Sequence, residues 1–187
     1  MERFDFTVFP DLTTTRLFLR KIEHEMADAL FALRSDPTLM KYIDRAVVTD
    51  KKEIHEMIDK MHDLAEKGQG ISWGIYLHDD PSNLIGYIGY YRTQPQHFRA
   101  EVGYMLATMY QQKGFMWEAM VAVLNYGFHS MNLHSVEAVI NPANTASQKL
   151  LEKAGFQQEA YFRENYFFDG KFLDSAVYSL LKREFKF

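Results

Sequence analysis

YQQKGFMWEAMVAVLNYGFHSMNLHSVEAVINPANTASQKLLEKAGF, residues 110–156, is the stretch whose reading decides the fold. It opens with a short polar loop, Gln111-Gln112-Lys113-Gly114-Phe115-Met116. From Trp117 the apolar residues recur at helical spacing, through Met120, Val121, Leu124, Phe128 and Met131. Val136, Ala138 and Ile140 then alternate as a strand does. Asn144 or Thr145 can cap a second helix carrying Ala146, Leu150, Leu151 and Ala154, which Gly155 ends. Each helix start presents N–H groups without internal partners and the positive end of a dipole, so an anion is welcome there. Gly114 would let the backbone approach a phosphate, and Lys113 adds charge. Taken alone, such a loop is more often a plain strand-to-helix turn, and Asn144 and Ser147 are ordinary cap residues worth about 1 kcal/mol. The layout gains meaning if both helix starts flank one strand and converge on one cleft.

Upstream, residues 12–22 alternate loosely, with Leu17, Leu19 and Lys21 on one side, and predict a first strand. Met26, Ala27, Leu30, Phe31 and Leu33 follow at helical spacing, and the run stops at Ser35-Asp36-Pro37. Asp50 and Glu53 form a capping box ahead of a stripe made by Ile54, Met57, Ile58, Met61, Leu64 and Ala65, with Gly68 beyond its end. Three strands come next: Ile71 to Leu77, Leu84 to Tyr91 and Ala100 to Ala107, joined by short polar turns, which predicts an antiparallel sheet. On the third strand Glu101, Gly103 and Met105 share one face, and Val102, Tyr104 and Leu106 the other. Downstream, Asp169-Gly170 between two apolar runs predicts a long hairpin. The whole reads as one α+β domain over residues 1–187, with a mostly antiparallel sheet and about four helices.

Composition narrows the chemistry. No cysteine is present, so disulfides, thiolate metal sites and a cysteine nucleophile are excluded. The seven histidines show no ligand spacing, and no metal is expected. The net charge of −4 gives no general pull toward nucleic acid. No long apolar run or secretory leader is seen, so a soluble cytoplasmic protein without a membrane partner is expected. Neither a nucleophilic serine elbow nor a dinucleotide fingerprint occurs. Glu101 could act as a general base if partial burial raises its pKa, or could equally be a solvent-facing strand residue. The rings Tyr87, Tyr90, Tyr91, Tyr161, Phe162, Tyr166, Phe167 and Phe168 read as core, some of them available to an amine cleft. Asp36, Asp44 and Glu53 read as caps and surface charges.

With these residues in view, the chain resembles the GCN5-related N-acetyltransferase (GNAT) superfamily, and within it the RimJ/RimL-like ribosomal-protein acetyltransferases. Glu101-Val102-Gly103-Tyr104-Met105-Leu106 is similar to the family's central strand. Tyr110 to Phe115 with Glu118-Ala119 is similar to its pyrophosphate loop and helix, and Asn141 to Ser147 with Leu151 to Phe156 to the segment beside the pantetheine arm. Arg163, Gly170, Asp174 and Tyr178-Ser179-Leu180-Leu181 match the C-terminal hairpin of that branch. The resemblance implies a V-shaped splay between two central strands, with acetyl-CoA as co-substrate lying in it. It implies pantetheine contacts from the backbone of Met105 and Leu106 and from Asn144. The N–H groups of Gln111, Gln112, Lys113, Gly114, Phe115 and Met116 would hold the pyrophosphate. An amine, either a protein N-terminus or a small molecule, would attack the thioester directly; Glu101, from its own strand position, is the expected base, acting through water. Most of the superfamily protonates the thiolate with a tyrosine, where this chain has Leu151; the RimL-like serine corresponds to Ser147. The loop departs from the family at Gln112, Met116 and Trp117, where small residues are usual. Crowding of the diphosphate is expected there unless Met116 swings aside and Trp117 faces the core. The alternative is a catalytically weakened CoA-binding or protein-interaction module. Relatives often pair, which makes a homodimer one expected state.

Overall fold

The computed structural model describes residues 4–187. One eight-stranded sheet runs through it, in the order β1-β2-β3-β4-β5-β6-β8-β7. The strands are β1 (Leu12–Thr13), β2 (Leu17–Lys21), β3 (Ile71–Leu77), β4 (Leu84–Gln94), β5 (Arg99–Leu106), β6 (Ser135–Ile140), β7 (Gln157–Phe168) and β8 (Lys171–Leu181). All neighbours are antiparallel except β5 and β6. The expected first strand is in fact two. The chain reverses at Thr14, whose N–H and hydroxyl both reach the Leu17 carbonyl, so Leu12 pairs with Leu19.

Five helices cover the faces: α1 (Ala27–Arg34), α2 (Pro37–Met40), α3 (Lys51–Glu66), α4 (Phe115–His129) and α5 (Thr145–Lys153). Pro37 ends α1 as expected but also starts α2. It occupies the first turn, where a missing N–H costs nothing, and the Asp36 carboxylate accepts from Thr38 N–H. The capping box of α3 forms, with Asp50 accepting from Lys52 and Glu53 accepting from Asp50. Leu30, Leu33, Ile54, Ile58, Tyr87 and Met105 pack together on one face of the sheet. Val102, Leu106, Ile88 and Tyr90 face the other way, against α4 and α5.

The buried face of α4 differs from the expected stripe. Ala119, Met120, Val123, Leu124, Gly127 and Phe128 are buried, whereas Val121 and Trp117 are half-buried. Small residues set this contact. The Tyr90 ring stands so close to Gly127 that a Cβ there would lie 2.2 Å from its hydroxyl, which donates to the Val123 carbonyl at 2.9 Å. A bulkier residue at position 127 would push the helix off the sheet.

The feature that positions the site is where β5 and β6 part. They pair only as Arg99 with Ser135, Ala100 with Val136 and Glu101 with Glu137. Beyond that, Val102–Leu106 bonds to β4 alone, while β6 continues to Ile140 against β8 alone. Five unpaired residues of strand make a wall about 17 Å long. The result is a V whose mouth receives the starts of α4 and α5.

The hairpin β7–β8 turns at Asp169 and Gly170, both at positive φ, as the two-residue turn requires. Its outer rings Tyr161, Phe162, Tyr166, Phe167 and Phe172 are exposed. The ring group foreseen from sequence is therefore split among both sheet faces and the hairpin. Rings four residues or more apart on different strands have no reason to share a side.

Candidate active site

The loop ahead of α4 is propped from behind. Gly114 is the N-cap at φ +83°, and no side chain caps the helix. Among the described residues, none of the N–H groups of residues 112–117 finds an acceptor outside the helix. Beneath the loop, Glu118 accepts from the Thr14 hydroxyl at 2.5 Å and the Arg16 N–H at 2.7 Å, and pairs with the Arg16 Nε at 2.7 Å. Burial alone would raise the Glu118 pKa, but the bonds from Thr14 and Arg16 outweigh it and hold it below the usual carboxylate range. The Arg16 Nη1 donates to the Lys113 carbonyl at 3.1 Å, and its guanidinium lies 4.4 Å from the Phe115 ring centre. Arg16 thus brings a second cation beside Lys113. Sequence reasoning missed it, since the pairing spans a hundred residues of chain.

The departures in this loop resolve individually. Gln112 sits at φ +60°, the left-handed region that glycine enters freely, and its side chain is exposed. Met116 packs against the core. Trp117 turns away from the loop: its ring meets Phe187 edge-on at 5.0 Å and carries Lys153 Nζ 4.3 Å above it.

At the other helix start, Asn144 caps α5 by accepting from the Ser147 N–H at 3.1 Å. Ser147 is thereby fixed in the first turn of α5, at the positive end of the helix dipole. Tyr104 reaches it from β5. The Tyr104 hydroxyl is buried and makes no hydrogen bond of normal geometry, yet lies close enough to Ser147 to interact with it. Burial pushes its pKa up to about 12, with Ser147 acting weakly in the opposite sense. A buried phenol without a firm partner is costly, and its place between β5 and α5 marks the interior of the V. The sequence offered a signal for it, since Tyr104 shares its strand face with the core residues Val102 and Leu106.

Met105 and Leu106 lie on the unpaired wall of β5. The Leu106 carbonyl accepts from the Gln111 side-chain amide at 2.9 Å, so the loop is tied to the strand by a side chain. Gln111 and Leu106 are five residues apart, and the η-turn at Thr108–Tyr110 folds one back on the other.

Glu101 stands at the fork of the V on the face shared with α1–α3. Burial is the largest influence on its carboxyl and raises its pKa; Arg92 opposes this, and Glu137 adds to it. Arg92 donates to it at 2.8 Å from a position at φ +44°, inside an irregularity that interrupts β4 between Tyr91 and Gln94. Of the acidic residues read as caps, Asp36 and Glu53 are caps. Asp44 is partly desolvated, which raises its pKa. Among the described residues no group of three metal-ligating side chains occurs, and no helix is long and apolar enough to cross a membrane.

A sheet forked between two parallel strands, with two helix starts at its mouth, frames the site. The family described as Acetyltransferase (GNAT) domain matches residues 16–157, and this chain belongs to it and is an acyltransferase. It is 38% identical to an uncharacterised N-acetyltransferase, p20, of Bacillus licheniformis, over 93% of this chain and 97% of that protein. The crystal structure of a GNAT-family acetyltransferase from Bacillus anthracis superposes with a TM-score of 0.83 at 28% identity, covering 94% of this chain and all (100%) of that one. The RimL ribosomal L7/L12 α-N-protein acetyltransferase, solved in complex with coenzyme A, has the same fold, with a TM-score of 0.84 over 92% and 98% of the two chains at 19% identity.

Proposed function

We propose that this chain moves an acetyl group from acetyl-CoA to a primary amine within the V between β5 and β6. The observation that carries this is the parting of the two strands after Glu101 and Glu137, with the uncapped start of α4 at its mouth. The residues present fit acetyl-CoA. Unpaired backbone on β5 suits an amide-bearing pantetheine arm, and the free N–H groups of residues 112–117, backed by Lys113 and Arg16, suit a diphosphate. Acetyl-CoA supplies an activated acetyl carbonyl and a thiolate leaving group.

The roles divide by face. Glu101, buried enough to hold a proton more tightly than an ordinary glutamate, takes the proton of the acceptor ammonium, directly or through water. Ser147 donates a proton to the departing sulfur, and the first-turn N–H groups of α5 stabilise the negative charge there. The Tyr104 hydroxyl lies beside Ser147 and would return that proton. The reading carries a cytoplasmic location with it, because acetyl-CoA is an intracellular metabolite.

One observation favours a second reading, a CoA-binding or protein-interaction module with weakened catalysis. Gln111 already occupies the Leu106 carbonyl, a group the pantetheine arm would otherwise use. Calorimetry with acetyl-CoA, followed by thiol release over a panel of amines, separates the two. Binding with turnover supports the transferase, binding without turnover supports the module, and no binding at millimolar ligand sinks both.

A further inference from the structure

Arg34, the last residue of α1, is only 6% exposed and has no carboxylate partner among the described residues. Its Nε finds no acceptor, and its Nη1 reaches the Tyr87 hydroxyl at 3.5 Å, the outer limit of a hydrogen bond. A position at a helix C-terminus rationalises a cation there, but not one whose Nε is buried without an acceptor. Arg45, in the segment between α2 and α3, is exposed and likewise forms no ion pair among the described residues. Burial raises the pKa of the Tyr91 phenol and both guanidinium groups lower it, so each lies within charge range of the same point.

That point lies at the site. Tyr87 pairs with Met105 and Tyr91 with Glu101, all on the face covered by α1–α3. Cross-strand neighbours stand about 5 Å apart. The Tyr91 ring leans over Gly103 on the wall of the V, and Arg34 reaches Tyr87 on the neighbouring strand. The hairpin closes the far side, where Tyr166 donates to the Asp44 carbonyl at 2.8 Å. Among the described residues neither arginine forms an ion pair, with Asp44 or with any other carboxylate.

We infer that the acceptor is an amine that also carries an oxyanion, a carboxylate or a phosphate, which Arg34 and Arg45 bind with the Tyr87 hydroxyl while the amine faces Glu101. A buried guanidinium with free donors is completed by a planar or tetrahedral oxyanion. The same charges repel a polyamine. The inference rests on the transferase reading and names its substrate class.

The test compares thiol release from acetyl-CoA with the standard amino acids, their C-terminal amides, phosphoethanolamine, phosphoserine and spermidine. The expected result is a kcat/KM at least about 10-fold higher for an anionic amine than for its neutralised counterpart, one hydrogen-bonded charge being worth that much. The better of the carboxylate and phosphate arms identifies the anion. In Arg34→Met and Arg45→Ala the preference falls to near one. Arg45 is exposed, so its variant folds even if the Arg34 variant does not. Equal rates for acid and amide, or spermidine as the best acceptor, overturn the inference. Should acetyl-CoA fail to bind by calorimetry, the transferase reading has failed instead. Equilibrium dialysis of the radiolabelled anionic amines then decides separately, and equal retention by wild type and Arg45→Ala overturns the anion site.

Discussion

Glu101 and Glu137 are the last residues of β5 and β6 to stand in register, and each is held by its own arginine, Arg92 for the first and Arg99 for the second. The Glu137 carboxylate adds to the proton affinity of Glu101, and each arginine holds its own carboxylate at the fork. Glu101 is the one whose carboxyl is shifted upward, by burial first and by Glu137 as well.

The acid limb of the rate profile follows from this. A base must be ionised, so kcat/KM should rise with pH through a value above the ordinary 4.5 of a glutamate. Glu101→Gln should lose that limb and lower kcat/KM about 100-fold. Stability moves in the opposite direction. A raised folded-state pKa contributes stability that is complete below 4.5 and lost as the pH rises through the folded value. The variant should therefore be at least as stable as wild type at pH 7 in urea melts; a large loss there would assign Glu101 a structural role.

Ser147 and Tyr104 give a paired prediction. Ser147→Ala should slow acetyl transfer about 10- to 100-fold with little change in acetyl-CoA affinity. Tyr104→Phe removes a buried hydroxyl that has no firm partner, so its melting temperature should not fall. If the two hydroxyls act together, the double variant is no slower than Ser147→Ala alone. Multiplicative losses would separate them.

The clamp under the loop is held by charge. Glu118→Gln weakens bonds from Thr14 and Arg16 and should cost about 2 kcal/mol at neutral pH. Because the folded pKa of Glu118 is depressed, this contribution is present above 4.5 and lost as the pH falls through the folded value. Wild type and variant should accordingly converge in acid urea melts. Acetyl-CoA affinity, read by calorimetry, should drop with the loosened loop.

Gln112 and Trp117 should respond differently. Gln112→Gly relieves a left-handed residue worth about 1 kcal/mol of strain, leaving acetyl-CoA binding equal or tighter. Trp117→Ala should cost about 2 kcal/mol through lost packing on Phe187 and Lys153, with unchanged cofactor affinity in the folded fraction. Tighter binding in the tryptophan variant would place that ring in the diphosphate path after all.

The sequence by itself determined the order of the main elements, though not the split of the first strand or the short helix α2. The capping box at Asp50, the cap at Asn144, the Asp169-Gly170 turn and the switch of period at residues 110–156 are local signals, set by hydrogen bonds and dihedrals within a few residues. Interactions that close over long chain separations lay beyond that. The break of the first strand at Thr14 and the set of α4 by Gly127 against Tyr90 depend on partners elsewhere in the chain. Arg16 under Gly114, Tyr104 beside Ser147, and the unpaired Arg34 against Tyr87 do too. Tertiary structure also decided the loop at residues 111–116. Its sequence looked crowded by Trp117, but packing against Phe187 and Lys153 turns that ring to the core, because burial of its large apolar surface outweighs anything the loop could gain from it.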